Sequence, residues 1–196
     1  MNCLLHICCA PCSVACIGSL REEGISLQGY WYNPNIHPYT EYRARKNCLV
    51  DYAKSIELPL TLKDEYGLRM FVQQVASDID GRCRVCYDLR MQEAARFASE
   101  QGYDCFTSTL FISPYQKHEL LKKSAEEAAA MYGIEFLYRD FRPLFRQGQE
   151  EARNLGLYMQ KYGGCVFSEE DRYLGAKRRK QQEKERKRLE AEQQGC

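Results

Sequence analysis

Apolar residues fall along this chain in short runs separated by turn residues, and the runs alternate between strand-like and helical spacing. Residues 3–9 (CLLHICC) are apolar enough for a buried strand. Pro11 stands where a helix can start, and SVACIGSLREEG supplies a helix ending at Gly24. Residues 26–32 (SLQGYWY) read as a second strand, closed by the turn signal Asn33-Pro34-Asn35. A helix is predicted over 40–56, a short strand over 58–62, and a helix followed by a loop over 65–81. A helix is predicted over 84–102, where Met91, Ala94, Ala95 and Ala98 recur at helical spacing before Gly102. Residues 104–110 form the next predicted strand, followed by the loop FISPYQ. A helix from Lys117 to Tyr132 carries Leu121, Ala125, Ala128 and Tyr132 on one face, and 134–138 is the last predicted strand.

Strands alternating with helices imply an α/β fold, a mostly parallel sheet flanked by helices. Such sheets place their sites at the carboxyl ends of strands. CCAPC, NPN and STLFISPY all fall there. There is no internal repeat. Residues 177–196 are charged and of low complexity, an exposed helix or a disordered arm, so the expected division is a domain over 1–176 and a basic tail over 177–196. The tail holds eight Lys/Arg against four Asp/Glu, while residues 1–176 hold 20 basic and 23 acidic residues. The basic excess is therefore in the tail, although the whole chain is only +1.

A length of 196 residues with 44% hydrophobic content suits one globular domain plus a tail rather than a disordered chain. No run of 18 apolar residues is present, so no membrane span is expected. The N-terminus lacks a basic stretch and a small-residue cleavage site, so a cytoplasmic protein without a signal peptide is expected. The cytosol keeps thiols reduced, and the cysteine count of eleven is odd; both argue against a disulfide framework and for metal or redox chemistry in the clustered cysteines. Cys3, Cys16, Cys48 and Cys105 stand apart and read as small buried hydrophobes.

Cys8, Cys9 and Cys12 sit where the first strand gives way to a helix, whose N-terminus favours thiolates. Neighbouring cysteines in extended backbone point to opposite sides, so Cys8 and Cys9 serve one metal only if the chain turns between them. A second pair, Cys83 and Cys86, is a C-x-x-C at the start of the helix predicted over 84–102. Four thiolates from these segments suit Zn²⁺ or an iron–sulfur cluster, and the C-C-x-x-C half departs from the usual zinc knuckle toward iron–sulfur. Cys165 follows Gly163 and Gly164, which let the backbone approach something closely.

The stretch WYNPNIHPYTEYRARK interleaves Tyr32, Asn33, Asn35, His37, Tyr39 and Tyr42 with Arg43 and Arg45, a mixture suited to stacked bases and phosphates. STLFISPYQKH, with Ser113, has the hydroxyls and amide of a substrate loop, and RDFRPLFRQ supplies Asp140, Arg142 and Arg146. No G-x-G-x-x-G, Walker lysine motif or G-x-S-x-G is present.

HICCAPC, YWYNPNIHPYTEYRAR, GRCRVCYDLR, DCFTSTLFISPYQKH, DFRP and QKYGGC resemble, in order, the signature blocks of the QueH-type epoxyqueuosine reductases, and they reach across nearly the whole globular part. The resemblance implies a sheet similar to that of the adenine-nucleotide α-hydrolases. It implies reduction of the epoxide of epoxyqueuosine in tRNA to queuosine, the last step of queuosine biosynthesis. It also implies a [4Fe-4S] cluster and a second, mononuclear iron held by two cluster thiolates and an aspartate. Carried onto this chain, the cluster ligands are Cys8, Cys9, Cys83 and Cys86. Cys12 replaces one of them or serves the second iron, and Asp88 is the aspartate. The family's late block reads Tyr-Cys-Gly-Cys, where this chain has Tyr162-Gly163-Gly164-Cys165, so no thiol pair exists there.

Deoxygenating an epoxide takes two electrons and two protons and releases water. An external electron donor is therefore expected, with His37, Tyr115 and His118 as candidate catalytic proton donors. Tyr32, Asn33, Tyr42, Arg45, Ser113, Arg142 and Cys165 are the candidates for holding the tRNA substrate. Two rivals stand beside this. A cluster-dependent tRNA sulfur transferase would ordinarily carry a phosphate loop where CCAPC lies. A non-enzymatic zinc protein would use its basic tail to bind RNA.

Overall fold

The computed structural model of the chain describes residues 1–175, 177 and 180–186. At its centre is β1 (Asn2–His6), in which Cys3, Leu4, Leu5 and His6 are fully buried. A strand covered on both faces needs apolar side chains in both directions, and this run accordingly does not alternate. It pairs in parallel with β2 (Ser26–Trp31) on one side and with β4 (Cys105–Ser108) on the other. With the outer strands β3 (Leu60–Leu62) and β5 (Glu135–Phe136), the order is β3-β2-β1-β4-β5, all parallel.

α1 (Ala10–Glu22) joins β1 to β2, and α2 (Tyr39–Ser55) joins β2 to β3. α3 (Leu68–Val75) and α4 (Arg82–Glu100) lead back to β4, and α5 (His118–Tyr132) leads on to β5. Right-handed crossovers put α1 and α2 on one face and α4 and α5 on the other. α1 packs on α2, and α4 on α5 and on the central strands. The predicted stripe Met91, Ala94, Ala95 and Ala98 is fully buried, as are Leu121 and Ala125 of α5. Cys3, Cys16 and Cys105 lie in the core, while Cys48 is half-buried. No helix among the described residues is long and apolar enough to cross a membrane.

Several boundaries differ from expectation for local reasons. β1 stops at His6: the amide of Ile7 still bonds the Tyr30 carbonyl (2.9 Å), but that of Cys8 turns to the Thr109 hydroxyl (3.1 Å). β4 ends at Ser108, whose side chain accepts from the amide of Leu110 (3.2 Å) and starts a 3-10 turn over Thr109–Ile112. Two helices were not expected from the sequence, α6 (Phe145–Asn154) and α7 (Val166–Tyr173). α6 buries only Gly148 and Ala152, and a Cβ on Gly148 would stand 2.9 Å from that of Ala15 on α1. The contact with α1 is thus made by small residues, with Phe145 packed against the core from the same helix. Of the tail, residues 177 and 180–186 are helical and exposed; 178, 179 and 187–196 lie outside the described residues.

Candidate metal centre and active-site cleft

The strand order reverses between β1 and β4, and the segments leaving their carboxyl ends diverge there. An open cleft of about 1040 Å³ occupies this place, lined by Cys8 and Cys12 on one wall and by Cys83, Cys86 and Cys165 on another. Cys9 is the N-cap of α1, with extended backbone (φ −172°, ψ 159°), and Cys12 lies one helical turn on. That geometry brings all three sulfurs within 4.8 Å of one another, with Cys8 and Cys9 Sγ 3.8 Å apart. The neighbouring thiols converge because the chain enters a helix straight after Cys9.

The trio is buried and its protons are unevenly shared. Hydrogen bonds from Cys12, Cys9 and Thr109 hold the Cys8 thiol well below its usual range. Burial drives Cys9 well above it, and hydrogen bonding to Cys8 does the same for Cys12. The Thr109 hydroxyl reaches Cys8 Sγ at 3.4 Å. Gln160 Nε2 donates to Cys9 Sγ at 3.1 Å and to Cys12 Sγ at 3.4 Å, while its Oε1 is buried without a partner. Filling such a site with a metal cation displaces the remaining thiol protons.

Also lining the cleft, Cys83 and Cys86 lie at the start of α4, one turn apart. Burial pushes the Cys86 thiol up to about 11, against the pull of the Arg90 guanidinium. Arg90 is itself buried and donates to Cys86 Sγ at 2.9 Å. Cys165 packs with Phe71 and Val75 and against Cys86. It caps α7 just after Gly164, which sits at φ +137°. A Cβ on Gly164 would meet Ile36 at 3.3 Å and Arg45 at 3.5 Å, and its carbonyl accepts from the His37 amide at 2.7 Å. The close approach expected of the two glycines is thus to the loop after β2 and falls on Gly164 alone. Gly163 lines the cleft.

Arg45, Ser113 and Tyr115 also line the cleft. Arg45 is buried, bonded to Glu41 (2.7 Å) and to the Tyr162 carbonyl (2.9 Å), and so fastens the segment bearing Gln160 and Cys165 to α2. Other candidates stand outside the lining. His37 is fully buried, donating Nε2–H to the Pro34 carbonyl (3.1 Å), and burial lowers its pKa to about 4. His118 is bonded to the Tyr138 hydroxyl (2.9 Å), and burial lowers its pKa too. Asp88 accepts from Arg84 (2.7 Å), and Arg142 is paired with Asp140 (2.6 Å). Tyr42 bonds Trp31 (3.2 Å) and Asp64 (2.8 Å), and Asn33 bonds the Ile7 carbonyl (2.9 Å). The Tyr32 ring lies 4.6 Å from the Lys63 ammonium.

Thr109, Gln160 and Arg90 were not singled out by sequence reasoning, though each falls inside a motif. Nor was His6, whose Nε2–H donates to the Tyr32 carbonyl (3.1 Å) while Nδ1 accepts from Ser108 (2.8 Å), a neutral ring behind the thiols. Although residues 1–176 are net acidic, the cleft lining holds eight Lys/Arg against two Asp/Glu. Exposed Lys117, Arg146, Arg153, Lys161 and Arg172 have no acidic partner among the described residues.

The family model described as epoxyqueuosine reductase QueH matches residues 3–171. An epoxyqueuosine reductase QueH of Dehalococcoides mccartyi is 38% identical over 170 residues, 87% of this chain and 93% of its own length. Those of Histophilus somni (33% identical; 86% of this chain, 72% of its own) and Thermotoga maritima (30% identical; 84% and 88%) are also similar. Among solved structures, a deacetylase of the teicoplanin biosynthetic pathway covers 69% of this chain and 62% of its own at a TM-score of 0.41 and 11% identity, too distant to carry an argument. With most of its length matched by the family model and by relatives at this identity, the chain belongs to the epoxyqueuosine reductase QueH family.

Proposed function

We propose that this chain reduces the epoxide of epoxyqueuosine in tRNA to the cyclopentene of queuosine, with Cys8, Cys9, Cys83 and Cys86 holding a [4Fe-4S] cluster. The observation that carries this reading is one cationic cleft, in a member of this family, lined by thiols of both segments: Cys8 and Cys12 of the first, where three sulfurs converge within 4.8 Å, and Cys83 and Cys86 of the second, which lie outside that trio. The donor set fits the group: it is all sulfur, which suits soft metals, and Thr109, Gln160 and Arg90 aim donors at sulfurs that only accept once metallated. Cys12, whose sulfur lies within 4.8 Å of those of Cys8 and Cys9, is placed to serve a second iron. When bound, an iron–sulfur cluster supplies electrons one at a time, drawn from an external donor.

The remaining work falls to the chain. The substrate gains two electrons and two protons, and its epoxide oxygen leaves as water. Lys117, Arg146, Arg153, Lys161 and Arg172 hold backbone phosphates of the tRNA at the cleft. Tyr115, 85% exposed and braced edge-on by Phe145, offers a face on which an unstacked base can rest. Of the three candidate proton donors, only Tyr115 is on the cleft wall, so its hydroxyl is the one proposed to protonate the leaving oxygen, with Ser113 beside it to orient the substrate.

The test is anaerobic turnover. Purified protein should contain iron and sulfide and should convert epoxyqueuosine-bearing tRNA to queuosine when given a chemical reductant. Protein that holds zinc in place of iron, or iron-loaded protein that leaves the epoxide intact, refutes the proposal.

A further inference from the structure

Among the described residues, Gln160 makes no side-chain hydrogen bond except to sulfur. Its Nε2 reaches Cys9 Sγ at 3.1 Å and Cys12 Sγ at 3.4 Å, and its Oε1 is enclosed without any partner. Leaving a buried carbonyl oxygen unpaired is unfavourable. No protein contact to the oxygen holds the amide in this orientation, so the two N–H···S contacts must do so. A metal-bound thiolate is acceptor-only, which fits the same orientation: N–H toward sulfur, oxygen away. The residue is held there from outside the thiol segment, because the neighbouring carbonyls of Tyr162 and Gly163 are gripped by buried Arg45. Gln160 is also distant from the trio in sequence, so its substitution leaves the sulfurs themselves in place.

We propose that Gln160 is a positioning residue that sets the reduction potential of the metal centre through its hydrogen bonds to Cys9 and Cys12. The inference rests on the iron–sulfur reading above. Hydrogen bonds to a ligand sulfur withdraw electron density and favour the electron-rich, reduced state, so their removal makes reduction harder.

The experiment compares wild-type, Gln160→Met and Gln160→Glu holoproteins by anaerobic redox titration, followed by absorbance and electron paramagnetic resonance, with iron content and tRNA affinity measured alongside. Met keeps the length of the side chain without the N–H; Glu keeps its shape and puts a carboxylate oxygen against the sulfurs. The expected result is full iron content in both variants and unchanged tRNA affinity in Gln160→Met, with reduction on the order of tenfold less favourable in Gln160→Met, about 59 mV for a one-electron couple, and the potential lower still in Gln160→Glu. Unchanged potentials at full iron content overturn the inference. Loss of iron from a Gln160→Met protein that stays folded by circular dichroism also overturns it, since the amide would then retain the metal rather than tune it. A wild-type protein with no redox-active centre overturns the iron–sulfur reading and this inference together, whereas a wild-type potential that neither substitution moves overturns this inference alone.

Discussion

Replacing Arg45 by Met removes a guanidinium that is 3% exposed and donates to Glu41 at 2.7 Å and to the Tyr162 carbonyl at 2.9 Å. Glu41 is 8% exposed and is then left with the Tyr158 hydroxyl, at 2.5 Å, as its remaining partner. Removing one member of a buried ion pair costs about 3–5 kcal/mol, because the other charge stays out of water uncompensated. Glu41→Gln alone leaves Arg45 charged and buried on two carbonyls, and is expected to be destabilising by a similar mechanism. In the double variant no uncompensated charge remains, so its loss should fall short of the sum of the singles by about 2 kcal/mol. Urea unfolding of all four proteins at equal iron load measures this, and hydrogen exchange over residues 158–165 shows whether the released segment loosens. Single losses under about 1 kcal/mol, or additivity within about 0.5 kcal/mol, would refute the clamp.

Cys83→Ser and Cys86→Ser should each lower iron content, abolish epoxide reduction and reduce stability, as should the same change at Cys8 or Cys9; full iron occupancy in either of the first two ends the ligand assignment. Cys165→Ala should retain iron while turnover drops, and normal turnover would show Cys165 to be a packing residue beside Cys86. His37 has its native pKa lowered to about 4 by burial, so the unfolded chain takes up a proton first as pH falls below about 6.5. Its contribution is intact above that pH and is lost by pH 4, about 3 kcal/mol in all; a His37→Gln protein whose stability falls as steeply over this window as the wild type's would contradict it. Truncation after Ala176 should flatten the log–log salt slope of tRNA binding by about 3 to 4 if half of the tail's eight cations engage. Parallel lines would assign the grip to Lys117, Arg146, Arg153, Lys161 and Arg172 around the cleft.

The sequence alone determined the parallel α/β architecture, because burial periodicity is a one-dimensional property. β1 and β4 are covered on both faces and read as unbroken buried runs, and α4 and α5 repeat their small and apolar residues at helical spacing. α1 is buried nearly all round, so its limits came from Pro11 and Gly24 rather than from any stripe. α6 was missed although Phe145, Gly148 and Ala152 share one face at helical spacing; the two residues it buries are small, and the helix is short. The motifs identified the family and the thiols of the cleft, since cysteine spacing and block order are written along the chain. Position near a strand end did not say which way a side chain points: His37 and His118 turn into the protein, while Tyr115 faces the cleft. Adjacent cysteines in extended backbone should diverge; Cys8 and Cys9 converge with Cys12 because a helix begins straight after Cys9, and only three-dimensional packing brings Thr109 and Gln160 to their sulfurs. Those contacts join segments more than a hundred residues apart, and distances of that kind are set by how the layers pack, which no local pattern encodes.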